Sequence, residues 1–492
     1  MRTNLFSSYE NNLLLRSDSY KLTHWKQYMA GTSKIVSYME ARKGGAFTKS
    51  IFFGLQPYLK MLEGKAFTRK DIKIAENFAK QHFGSKYFNK KGWTDLYNRY
   101  GGVLPIRIKA LPEGTLTDCG TALLVIENLD PDFPWLTNFL ETLLMKVWYT
   151  VTIATNSFYC KKLIKGYMEK SCDTLDALNF ALHDFGYRGV SSEETAGLGG
   201  MAHLTNFMGT DTMRGIIFAN MYYNIHAKKE SDFKMYGFSV SASEHSTATP
   251  FGMGEGEYKY IEQMLNAYPN SIVSMVADSY DVFDFAKKLA KYKVQIMRRD
   301  GRVVMRPDSG DPVEVNVKLL QILSEEFGYT VNTKGYKVLP TQIRIIQGDG
   351  IDYKELDRIL KAVLENGFAA ENLVFGSGGG LLQKFNRDTL RFAIKCCLAV
   401  INDVEVNVQK NPKTDKSKSS KSGWLKTVED DGKLITISSN GMSPEEFEKL
   451  IDQMLVVFEM GEIKIKYDFD EVKAKIESYL YDVDPEAVPM AA

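Results

Sequence analysis

Seven short apolar runs, each ending in a cluster of Gly, Asp, Ser, Arg or His, dominate the middle of this chain. They begin at Leu178 (LNFALHDFGYRG), Leu204 (LTNFMGTDT), Met235 (MYGFSVSASEHS), Ser271 (SIVSMVADSYD), Val303 (VVMRPDSGDP), Ile343 (IRIIQGDGID) and Leu373 (LVFGSGGGLLQ). Stretches with helical patterning lie between them, among them residues 280–293, 315–327 and 352–366. An apolar run followed by a turn and a helix is the sequence form of a buried parallel strand. Repeated at this spacing, it predicts an α/β fold built on an irregular (β/α) barrel, whose strand C-termini share one face. The polar clusters should therefore meet in one pocket.

The barrel is expected over residues 151–393. Residues 1–150 carry strand-like pieces at 34–40, 104–110 and 121–127, a helix at 70–82, and an aromatic, apolar stretch at 131–152 that reads as a buried helix. After residue 394, two strand-like segments, FAIKCCLAVI and VEVNV, are followed by a third, KLITISS, and a helix starting at Ser443. A second, α+β domain formed from both chain ends (1–150 with 394–492) follows. The lysine-rich stretch 410–421 reads as a solvated loop, or as a flap that closes a lysine over a phosphate.

With 62 basic and 61 acidic side chains the chain has no global field to attract nucleic acid or an anionic membrane, so an anionic ligand must be held locally. No apolar stretch approaches the roughly 18 residues of a membrane span, and the N-terminal MRTNLFSSYENNLLL lacks a signal-peptide core. Cys119, Cys160, Cys172, Cys396 and Cys397 form no CxxC pair, which suits reduced thiols in a cytoplasmic protein.

Four glycines and a serine in FGSGGGLLQKFNRD, after an apolar run and before helix-compatible LLQKF, suit a phosphate held by backbone N–H groups. Gly378 and Gly379 lie at its centre and Arg387 beyond it. IQGDGID adds Gly348 and Asp349, and RPDSGDP adds Arg306, Asp308 and Asp311. A carboxylate beside a guanidinium at a strand end suits a sugar diol next to a phosphate. His245 is the histidine placed at the end of a strand-like run, with Glu244 or Asp278 available to orient it. His183 is a weaker candidate. No HxH or HExxH spacing accompanies His245, so no transition-metal site is expected. Phe185, with Tyr187 and Arg188, could wall a flat aromatic ligand or pack in the core. Asp211 could accept from an amide N–H.

SDSYKLTHWKQY, HDFGYRGVSSEETAG, GTDT, the EHST run, DSYD, RPDSGDP, IQGDGID and FGSGGGLLQK occur in that order, and through them the chain resembles the nicotinamide phosphoribosyltransferases, type II phosphoribosyltransferases of NAD salvage. The resemblance implies transfer of a 5-phosphoribosyl group from phosphoribosyl pyrophosphate to nicotinamide. Phe185 and Tyr20 of a partner subunit would stack on the ring, with Asp211 accepting from the carboxamide, Arg188 beside it and Ser239 also binding substrate. Gly378, Gly379 and Arg387 would hold the 5-phosphate, Asp308 the ribose hydroxyls with Gly348 and Asp349 lining the ribose region, and Arg306 and Lys395 the ligand phosphates. His245, with Asp278, would be phosphorylated during coupled ATP hydrolysis, and Mg²⁺ would accompany the pyrophosphate. The family's homodimer would bring Asp18, Arg42 and Lys418 to the neighbouring subunit's site. Ala393 stands where better-known animal members have serine, so one polar ligand contact is missing. Alternatives are a nicotinate phosphoribosyltransferase, or a non-catalytic binding or signalling protein on the same scaffold.

Overall fold

A computed structural model of the 492-residue chain describes residues 6–84, 87–414 and 419–482. The chain divides into two compact units, residues 153–221 with 227–385, and residues 1–152 with 222–226 and 386–492.

In the first unit each of the seven apolar runs supplies one strand. These are β1 Leu182–Asp184, β2 Gly209–Thr210, β3 Ser241–Ala242, β4 Val273–Val276, β5 Val303–Arg306, β6 Ile343–Gln347 and β7 Leu373–Ser377. They pair in parallel in the order β2-β1-β7-β6-β5-β4-β3. Phe238, just before β3, donates its N–H to Met208 O (2.7 Å) and accepts from Thr210 N (2.9 Å), forming a parallel bridge with Gly209. This brings the two sheet edges together, so the strands follow one another around a curled barrel. Closing the edges removes unpaired backbone groups.

Crossover helices cover the barrel: α1 Glu193–Leu204, α2 Met213–Tyr223, α3 Glu255–Ala267, α4 Val282–Ala290, α5 Pro312–Phe327 and α6 Tyr353–Glu365. Asp281, Asp311 and Asp352 cap α4, α5 and α6 by accepting from backbone N–H groups of their first turns. Such caps contribute about 1 kcal/mol each. The buried faces of α3 to α6 join Met275, Met305, Ile345 and Phe375 from the strands in one apolar core. Burying each large side chain contributes about 1.5–3 kcal/mol before entropy is counted.

The second unit is α+β. Thr32–Glu40 pairs antiparallel with Ala393–Ile401 on one side and Ala122–Asn128 on the other, so both chain ends build one seven-stranded sheet. The 131–152 stretch is not one helix. Trp135–Phe139 and Glu141–Met145 are separated at Leu140, whose ψ of −4° leaves regular helical geometry, and Val147–Ser171 then runs for 25 residues. At Ser443 a capping box with Glu446 starts the short helix Pro444–Lys449. Among the described residues no helix is long and apolar enough to cross a membrane.

Candidate active site

Residues following β1, β2, β3, β5, β6 and β7 surround a cavity of about 1030 Å³ at the C-terminal face of the barrel. The sequence clusters meet there because parallel strands all end on the same side. Phe185 and Arg188 enter from the turn after β1, Asp211 from β2, Arg306 and Asp308 from β5, Gly348 and Asp349 from β6, and Gly378 and Gly379 from β7.

Phe185 is held by its backbone and its ring. Its N–H donates to Ser377 O (2.9 Å) on β7. The ring edge lies so close to Gly376 Cα that a Cβ there would overlap Cε2 and Cδ2. A Cβ on Gly348 would stand 3.5 Å from Phe185 Cε2 and 3.7 Å from both Arg306 Cδ and Asp308 Oδ1. Gly348 therefore marks the point where the ring wall, the Arg306 side-chain stem and the carboxylate converge. Across the cavity, Asp211 donates its backbone N–H to Asp184 O (2.8 Å), and the Ser239 hydroxyl donates to its Oδ1. Asp211 is exposed and retains lone pairs for a ligand donor.

Arg306 Nε is buried and has no hydrogen-bond partner among the described residues. An unsatisfied buried guanidinium nitrogen at a cavity wall is suited to an anion brought by a ligand. Two residues on, half-buried Asp308 has its carboxyl pushed up by burial, an effect the Arg306 charge opposes and the charges of Asp278 and Asp349 reinforce. His245 Nε2 lies 3.0 Å from Asp278 Oδ1, and the histidine side chain is 46% exposed against 7% for the aspartate. Asp278 is therefore the residue that orients His245. Glu244 is not, because its carboxylate accepts from the Ser246 hydroxyl.

Asp311 caps α5, so Asp308 is the carboxylate of RPDSGDP that faces the cavity. His183 is buried against Gly209 with its ring centroid 6.1 Å from that of Phe185, and burial pushes its pKa down. The helix after the glycine loop spans only Gly379–Leu382, shorter than LLQKF suggested. A Cβ on Gly380 would stand 2.5 Å from Ile351 O, so that glycine permits close backbone packing, whereas Gly379 is open to the cavity. Ser192, Glu193 and Thr247 also line the cavity, and the sequence reading did not select them. Each sits at a helix start, where a polar residue reads as a cap. Asp184 was passed over as well, because a carboxylate inside HDFG does not announce that it is completely buried.

The remaining selected residues belong to the other unit. There burial pushes the Lys395 ammonium pKa down, an effect the Glu141 charge opposes and the charges of Arg42, Lys410 and Arg387 reinforce. The unit thus holds a cationic group of its own. Arg42 Nε donates to Arg391 O (2.7 Å), Asp18 accepts from the Thr142 hydroxyl (2.7 Å), and the Tyr20 ring is 56% exposed. Lys410 and Ser420 are joined by hydrogen bonds of 2.9 Å at the base of the lysine-rich loop. Lys418 lies outside the described residues.

The nicotinate phosphoribosyltransferase (NAPRTase) family matches residues 180–455, and the N-terminal domain of nicotinamide phosphoribosyltransferase matches residues 12–108. A nicotinamide phosphoribosyltransferase of Xanthomonas campestris is 40% identical over 95% of this chain and 98% of its own. One from Acinetobacter baylyi is 30% identical over 96% and 98%. Crystal structures with the same fold include nicotinate-nucleotide pyrophosphorylase from Pyrococcus furiosus (TM-score 0.59, 15% identity, 98% and 100% coverage). Human nicotinic acid phosphoribosyltransferase also has this fold (TM-score 0.57, 14% identity, 96% of both chains).

Proposed function

The chain belongs to the nicotinate phosphoribosyltransferase family, with nicotinamide phosphoribosyltransferases among its relatives at 30–40% identity, and from this premise we propose the reaction it catalyses. The protein is a pentosyltransferase that joins the phosphoribosyl group of phosphoribosyl pyrophosphate to nicotinamide. The pyridine nitrogen forms a bond to C1 of the ribose, and the C1–O bond breaks with its electron pair leaving on pyrophosphate. Positive charge develops on the sugar and negative charge on the leaving group, so catalysis consists mainly of positioning and electrostatic stabilisation.

The observation that carries this reading is the convergence of Phe185, Arg306 and Asp308 on Gly348 in one cavity, with Asp211 in its wall. Phe185 stacks on the pyridine and Asp211 accepts from the carboxamide N–H, with Arg188 beside it. Asp308 accepts from the ribose hydroxyls, Gly348 and Asp349 border the ribose, and Arg306 neutralises ligand phosphate. The glycine turn at Gly378 and Gly379 takes the 5-phosphate. A carboxylate at Asp211 favours an amide over the acid of nicotinate, which separates this reading from nicotinate phosphoribosyl transfer.

ATP hydrolysis is coupled through His245. With Nε2–H donated to Asp278, the Nδ1 lone pair is free to take the γ-phosphoryl group as ADP leaves, and water later releases phosphate. Among the described residues no group of three or more metal-ligating side chains is arranged to hold an ion. Mg²⁺ would accompany the diphosphate of the substrate, where it would neutralise the leaving group, and Asp278 and Asp308 would be the acidic side chains to hold it. The assembly is a homodimer, as the resemblance of the sequence to its family implies. Arg42, Asp18, Tyr20 and Lys418, with Arg387 and Lys395, are read as the dimer's contribution to ligand phosphate and ring binding. Five free cysteines support a cytoplasmic setting. The deciding experiment is incubation with nicotinamide, phosphoribosyl pyrophosphate and Mg²⁺, with and without ATP, followed by mass spectrometry. Absence of nicotinamide mononucleotide in both arms would end this reading.

A further inference from the structure

We propose that Asp184 is a positioning residue for the pyridine ring and strengthens the preference for a neutral amide over an acid, an inference that rests on the function proposed above. Asp184 ends β1 with a side chain that is completely buried. Its Oδ1 accepts from Gly186 N (2.7 Å), which fixes the turn carrying Phe185. Its backbone carbonyl accepts from Asp211 N (2.8 Å), which fixes the turn carrying the amide acceptor. One residue thus ties the ring wall to the hydrogen-bonding group across two strand ends. In the sheet it sits between Ser377 of β7 and Thr210 of β2.

The groups packed on this carboxyl are neutral apart from Asp211. A Cβ on Gly200 of α1 would stand 3.2 Å from Oδ2 and 3.0 Å from the Thr212 methyl, and Oδ2 is buried without a hydrogen-bond partner among the described residues. His183, its neighbour in the chain, has its pKa lowered by burial. Burial pushes the Asp184 carboxyl up to about 7, and the charge of Asp211 adds to the rise. Ionisation of Asp184 therefore places a second negative charge behind Asp211. A neutral carboxamide is little affected, while a pyridine carboxylate is repelled.

The test compares kcat/KM for nicotinamide with kcat/KM for nicotinate across pH, because effects on phosphoribosyl pyrophosphate and on the chemical step cancel in the ratio. In the wild type the ratio should rise roughly fivefold from about pH 6 to about pH 8.5, the size expected of one further buried charge. In Asp184→Asn, which keeps the side-chain shape and an acceptor for Gly186, the ratio should be flat. A flat wild-type ratio overturns the proposal, and so does an unchanged rise in Asp184→Asn. Should that variant not fold, the wild-type ratio still decides, because a flat ratio by itself overturns the proposal. Wild-type turnover of nicotinamide judges the function itself, so its failure is distinct from a failure of the Asp184 ratio.

Discussion

The ring of Phe185 rests against Gly376 Cα, two residues before the glycine turn that ends β7. No larger residue can occupy position 376 while the ring stays in place. The glycine is a seat for the aromatic wall rather than part of the phosphate loop.

Gly376→Ala should therefore displace Phe185. The expected result is a KM for nicotinamide raised about tenfold or more, with overpacking costing about 1–3 kcal/mol of stability. Steady-state kinetics on both substrates and a denaturant titration check this. An unchanged KM would mean that the ring does not contact the pyridine.

Asp211→Asn keeps the side chain's size but adds an N–H₂ donor and removes the charge. Discrimination against nicotinate should fall about tenfold or more, the size of a lost charge–charge repulsion in a partly desolvated site. Competition between nicotinamide and nicotinate for limiting phosphoribosyl pyrophosphate reads this directly. A variant as selective as the wild type would count against the assignment of Asp211.

His245→Ala should abolish stimulation by ATP while leaving some basal transfer. Asp278→Asn should weaken the stimulation by about ten- to a hundredfold, as removal of a group that orients a histidine does elsewhere. Phosphate release and retained label from γ-labelled ATP are the measurements. Persistent stimulation in His245→Ala would rule out the phosphohistidine.

Glu113 is buried and accepts from Gly54 N (2.9 Å), Gln56 N (2.8 Å) and the Tyr223 hydroxyl (2.5 Å). Glu113→Gln turns an N–H₂ group towards at least one donor, so it should destabilise by about 2–4 kcal/mol. A chemical denaturation curve checks it, and an unaltered midpoint would show that those donors find other acceptors.

Asp184 also makes stability depend on pH. Its carboxyl holds its proton more tightly in the folded chain, at about 7, than at the ordinary 3.8. The folded state is therefore most favoured by this group below about pH 4 and loses that advantage as pH rises towards 7, by a few kcal/mol in all. The Tm of Asp184→Asn relative to the wild type should increase from about pH 5 to about pH 8. A constant difference would show that the carboxyl titrates normally.

The barrel was legible because its signal is local. β4 to β7 are apolar runs with polar residues at their ends, whereas in the Leu204 and Met235 runs only the two-residue β2 and β3 pair, within the polar clusters. Helices α4 to α6 overlap the patterned stretches 280–293, 315–327 and 352–366, but the capping roles of Asp281, Asp311 and Asp352 emerge only in the structure. The stretch at 131–152 was misread as one helix, because its apolar residues conceal the break at Leu140.

The sequence alone determined which segments are strands, that their polar ends share a face, and that Phe185, Arg306, Asp308, Gly348 and Gly379 lie on it. Only the tertiary structure decided which of those ends touch. It matched His245 with Asp278 rather than Glu244, seated Phe185 on Gly376, closed the sheet through Phe238 and buried Asp184 between two turns. The reason is physical: strand formation depends on neighbours along the chain. Contacts across a barrel depend on register and closure, which join residues far apart in sequence and leave no periodic trace in it.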